Sequence, residues 1–135
     1  MPHQVHPIID LGAVVVRFSG RIDYQELQDV LDELPLLPDF RPHLKLIADF
    51  RDCATTMTGQ EVQKLAAYAR RSDASWGETR WALLAPDDVI FGLSRMYMAL
   101  TEDYQVETHV FRSVDETDDW LGLGVGLEEA LRHAA

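Results

Sequence analysis

Apolar positions along this chain follow two periods in alternation, and the switches between them mark the elements. Residues 13–19 form a β-branched run closed by Gly20, the pattern of a strand. Asp23 then stands where a helix cap belongs, and Leu27, Val30, Leu31 and Leu34 recur at helical spacing until Pro35 stops them. Residues 36–43, with Pro38 and Pro42, read as a loop. Leu44, Leu46, Ile47, Ala48 and Phe50 predict an apolar strand, 51–57 a polar turn, and Thr58 the start of a second helix. Glu61 lies three residues beyond Thr58, the spacing of a capping box, and Val62, Leu65, Ala66 and Ala69 then face one way.

The same alternation continues. A third strand is expected at 79–84. Pro86, Asp87 and Asp88 open a helix over 89–100, with acids where the helix dipole favours them. Residues 106–111 predict another strand, and Ser113 with Glu116 caps a helix through Trp120 and Leu121. Gly122, Gly124 and Gly126 interrupt the chain, leaving a loosely held extension from about 122 whose residues 127–133 form a last helix. Before all this, Val5, Ile8 and Ile9 suggest a short edge strand turning near Gly12.

Strands alternating with helices imply an α/β fold with a mainly parallel, mixed sheet of about four or five strands and about four helices. Arg17, Lys45, Glu107 and His109 occupy strand positions among apolar ones, so one sheet face is expected to be partly wet and the helices to lie mostly on the other. The 135 residues suit a single domain, 1–135.

Charge narrows the function. With 23 acidic against 12 basic residues, the net charge of −11 opposes a nucleic-acid backbone partner and tight docking on an anionic membrane. The single cysteine, Cys53, forms no internal disulfide, and no apolar run reaches the roughly 18 residues of a membrane span, so a cytoplasmic setting is expected.

Chemistry is sparse. Asp49 or Asp52 and Asp87 or Asp88 fall near the carboxyl ends of neighbouring strands, where a carboxylate pair is geometrically conceivable, yet each suits a turn or a cap. His3 and His6 fall in a loose terminus, and His43, His109 and His133 are scattered. No base accompanies Cys53, no ligand spacing suggests a metal, and the late glycines lack the dinucleotide pattern. No catalytic residue, cofactor or metal is assigned.

The order of Phe18–Ser19–Gly20–Arg21–Ile22, Leu46–Ile47–Ala48–Asp49–Phe50, Ala82–Leu83–Leu84–Ala85–Pro86, Arg95–Met96–Tyr97, Val110–Phe111 and Trp120–Leu121 resembles the SpoIIAA-like family of small bacterial proteins. That family has the STAS-like fold, is similar to the CRAL-TRIO lipid carriers, and is matched over roughly 5–123. In its anti-sigma-factor antagonists an Asp-Ser-Ser-Gly motif after the central strand carries a phosphorylated serine. The matching positions here are Met57–Thr58–Gly59, which lack the acid and place threonine at the phosphoacceptor, so Thr58 is the phosphorylation candidate.

The third helix is apolar nearly all round, and its surface must meet something besides its own sheet. The carrier resemblance and this composition together imply a non-catalytic module that binds a small apolar, lipid-like ligand. Its site would be Val62, Leu65, Ala66 and Ala69 with Ile90, Phe91, Leu93, Met96, Tyr97 and Leu100. A homodimer partner or transient membrane contact through the third helix is the other use of that surface. The alternative is a regulatory protein-interaction module of the antagonist type.

Overall fold

The computed structural model describes residues 2–124 and 126–129. Its strands are β1 (His3–Ile8), β2 (Ala13–Ile22), β3 (Lys45–Thr55), β4 (Thr79–Leu84) and β5 (Val106–Phe111). Its helices are α1 (Tyr24–Glu33), α2 (Gly59–Trp76), α3 (Asp88–Leu100) and α4 (Val114–Leu121), with short 3-10 turns at Ile9–Leu11 and Leu34–Leu36. The five strands lie side by side in chain order. β1 is antiparallel to β2, and every other neighbouring pair is parallel.

Sequential order explains where the helices go. Each parallel crossover is right-handed, so a sheet that grows steadily in one direction puts all its crossover helices on one face. α1, α2 and α3 accordingly cover a core of Val14, Val16, Phe18, Leu46, Ala48, Phe50, Trp81 and Leu83. α4 follows the last strand and has no further strand to join, so it folds over the opposite face. There Leu121, Leu123 and Leu127 bury Ala13, Val15, Ile47, Ala82 and Leu84. That face is thus only partly wet, with the Lys45 ammonium donating to the Leu121 carbonyl at 2.5 Å and the Arg80 guanidinium to that of Trp120 at 2.7 Å.

Three sequence expectations change. β2 does not close at Gly20, whose φ of +71° lets the strand run on to Ile22 past a bulge between Arg17 and Ser19. Residues 51–55 are not a turn, because Ser19–Ile22 pair in parallel register with Asp52–Thr55 and extend β3 to Thr55. The terminus is not loose either: β1 pairs with β2 from His3 to Ile8, and His3 is buried against α1, hydrogen-bonded to Glu26 and Glu33. α2 spans 18 residues and ends at Trp76, with Gly77 as its C-cap. Most of the expected last helix, with His133, lies outside the described residues.

Candidate functional site

The longest strand delivers the chain to a tight polar junction. The Thr55 hydroxyl donates to the Ile22 carbonyl at 2.8 Å and accepts the Met57 amide at 3.2 Å, turning the backbone off β3. Thr58 then caps α2 in extended geometry. Its oxygen accepts the Glu61 amide at 3.2 Å, and the Glu61 carboxylate accepts the Thr58 amide at 3.0 Å. This reciprocal box satisfies two of the orphaned amides at the helix start. Thr58 remains exposed.

Other groups at this end of the sheet are engaged structurally. The Asp49 carboxylate is buried at 2% exposure on the α4 face, where the Arg51 guanidinium donates to both its oxygens at 2.9 Å and Arg17 approaches at 3.6 Å. Asp87 caps α3 by accepting the amides of Val89 and Ile90. Asp88 pairs with Arg112, which also lies 4.0 Å over the Phe91 ring. Burial first, and then the charges of Asp49, Asp52 and Asp87, push the Cys53 thiol up to about 12. A thiol held that high stays protonated at neutral pH and is a poor nucleophile.

Beneath the three helices lies a cavity of about 110 Å³. Phe18, Ile22, Leu46, Ala48, Phe50, Thr55, Trp81 and Leu83 form its floor on β2, β3 and β4. Leu27, Val30 and Leu31 wall it from α1, Val62 and Leu65 from α2, and Ile90, Leu93, Ser94 and Tyr97 from α3. Leu34 and Met57 complete it. No charged side chain is among these. Burial, with Tyr104 and Asp73 nearby, pushes the Tyr97 phenol well above its ordinary value, so it stays protonated.

Of the residues assigned from sequence, Val62, Leu65, Ile90, Leu93 and Tyr97 meet at this cavity. Ala66 and Ala69 are buried in the same core but do not line it. Phe91 lies under Arg112, and Met96 and Leu100 are 40% and 39% exposed, outside the lining. Met96 instead rests against the head of α2: a Cβ on Gly59 would come within 3.1 Å of its methyl. Val89, Met96 and Leu100 are the exposed large apolar side chains of α3, and Met96 is the one that reaches Gly59, the residue after Thr58. The α1 wall, the strand floor and Ser94 were missed. Their signal was present in the inward alternation of Val14, Val16, Phe18 and of Leu46, Ala48, Phe50, which marks the face a pocket must use.

Among the described residues, no His, Cys, Asp and Glu are grouped to hold a metal ion, and no helix is long and apolar enough to cross a membrane.

No protein-family model and no curated protein matches the sequence. Solved structures do. The anti-sigma factor antagonist SpoIIAA, in its unphosphorylated form, superposes with a TM-score of 0.55 at 14% identity, covering 89% of this chain and 96% of that one. An uncharacterised protein of the DUF3478 family from Shewanella loihica, described as having a SpoIIAA-like fold, gives a TM-score of 0.49 at 15% identity over 81% of this chain and 83% of that one. The superposition spans nearly the full length of SpoIIAA, and this chain, an α/β sheet extended by one antiparallel strand with three helices on one face and a fourth on the other, therefore has the SpoIIAA-like, or STAS-like, fold.

Proposed function

We propose that the chain is a non-catalytic regulatory module that acts by binding another protein, with phosphorylation of Thr58 as its switch. One observation carries this reading: an exposed Thr58 at the head of α2, next in sequence to Gly59, against which the exposed apolar side chain of Met96 on α3 rests. A phosphate there would carry a charge of about −2 to the amides of a helix N-terminus and would repel the Glu61 carboxylate that now completes the box. Modification would therefore change both the charge and the cap at the edge of an apolar docking face. The anti-sigma factor antagonist whose fold is similar exists in an unphosphorylated form, which supports the same reading. The carboxylates and the thiol near the junction are already committed to structural roles, which supports a non-catalytic one.

The test is intact mass of the protein purified from its own host before and after phosphatase treatment, with the modified residue mapped. A phosphate on Thr58, and a partner captured by wild type but lost with Thr58→Glu, are expected. Unmodified Thr58 together with identical capture by both forms would refute the switch.

A second reading, in which the chain holds a small apolar ligand, is favoured by the cavity alone. Native mass spectrometry of the same preparation checks it, since a tightly held molecule adds its mass to the folded protein and is lost on denaturation.

A further inference from the structure

We propose that the cavity under α1, α2 and α3 is a binding site for one small uncharged molecule, the size of a single ring or a short alkyl chain, with one hydroxyl or carbonyl at most. This rests on the apolar-ligand reading and narrows it: a long-chain lipid is excluded as an occupant held wholly inside.

Size gives the first limit. The 110 Å³ is somewhat below the roughly 150 Å³ of an engineered apolar cavity that stays dry and takes up benzene. Chemistry gives the second. With no Lys, Arg, His, Asp or Glu in the lining, a charged headgroup would be desolvated without a partner, at a cost no apolar contact offsets. The polar groups among the lining side chains are those of Thr55, Ser94, Tyr97 and Trp81, whose indole N–H is buried without a hydrogen-bond partner. The Thr55 hydroxyl is already occupied by Ile22 and Met57, and the Tyr97 phenol sits in the field of Asp73 and Tyr104. Ser94, 6% exposed on α3, is left as the hydroxyl to meet a ligand's own polar atom.

Access follows from exposure. Among the lining residues Leu27, Leu31, Thr55, Met57 and Leu93 are half-buried while the others are buried, so the way in runs between α1 and α3 past the Thr55–Met57 segment. Met57 can give way at small cost because its unbranched thioether has several rotamers.

The experiment is a thermal-shift and calorimetric titration of the full chain with 1-hexanol, benzyl alcohol, hexylammonium and 1-decanol. The two small alcohols are expected to bind saturably and to raise the Tm, hexylammonium at least tenfold more weakly. Ala48→Val, which adds two methyl groups to the floor, and Val62→Ile, which adds one to the wall, are expected to weaken hexanol binding at least tenfold and severalfold respectively. Both should keep or raise the ligand-free Tm. Ser94→Ala should weaken hexanol severalfold. Saturable binding by none of the four probes overturns the apolar-ligand reading as a whole. Binding of decanol more tightly than hexanol, equal binding of hexylammonium, or unchanged affinity in both filled variants overturns this narrower assignment and leaves the broader one standing.

Discussion

Asp73 is an acid in the last turn of α2, where the helix dipole disfavours negative charge, and it is 9% exposed. It is accounted for by what it holds. Its carboxylate accepts the Gln105 amide at 3.0 Å and the Val106 amide at 3.1 Å, pinning the start of β5 to the end of α2 across 32 residues of chain. Asp73→Ala removes both bonds and strands a buried amide at Val106. Hydrogen bonds to a charged acceptor contribute about 1.5–3 kcal/mol each, while removing the acid from the dipole's negative end returns about 0.3–1 kcal/mol. The net loss is about 3–4 kcal/mol, near half the stability of a typical domain and worth roughly 10–20 °C in Tm. Asp73→Asn keeps one acceptor oxygen but turns an amide donor toward the other N–H, so it should recover half the loss or less. Urea melts of the three proteins with a shared m-value give these differences directly. A loss below about 1 kcal/mol for Asp73→Ala would refute the claim that β5 is held by this carboxylate.

Three further outcomes follow from other groups. Thr58→Ala should cost about 1 kcal/mol in urea melts and Thr58→Ser almost nothing, since serine caps equally well; a neutral alanine would mean the box is not formed. With its thiol pushed up to about 12, Cys53 at pH 8 should react with a thiol reagent on the order of a thousandfold more slowly in the folded chain than after unfolding, given an ordinary thiol value near 8.5, and equal rates would refute the burial argument. His3 is pulled down by burial but raised further by Glu26 and Glu33, so its folded value lies above the ordinary 6.5. A raised value means the folded state binds the proton more tightly, so the contribution is complete below pH 6.5 and is lost as pH rises through the higher folded value. Denaturation midpoints between pH 5 and pH 8 should therefore fall more steeply in wild type than in His3→Gln; parallel curves would refute it.

Element by element, what the sequence made legible was what local chemistry decides. The Asp23, Thr58, Asp87 and Ser113 caps announce all four helix starts, because a cap is a bond between neighbours in sequence. The end of β3 was not legible, because Arg51 to Thr55 are polar and become strand only by pairing with Ser19–Ile22, which a bulge and Gly20 bring into register. The order of His3 is hidden from the sequence for the same reason, since its partners lie on α1, 23 and 30 residues away. Composition marks the third helix as apolar on too many sides but does not divide those sides. Structure does: Ile90, Ser94 and Tyr97 face inward, Phe91 meets Arg112, and Val89, Met96 and Leu100 remain outside.

That division sharpens the choice between the two readings, since both depend on one short segment. Thr55 and Met57 border the cavity, and Thr58, the next residue, caps α2. A ligand that displaced Met57 would pull on the residue whose backbone amide is held by Glu61, and a phosphate that expelled Glu61 would loosen the same segment at the cavity's entrance. Phosphorylation of Thr58 would thereby change the cavity's affinity for its ligand. Hexanol affinity measured in wild type and in Thr58→Glu tests this without knowledge of the natural ligand or partner: a ratio far from one joins the two sites, and a ratio of one makes them independent features of the same fold.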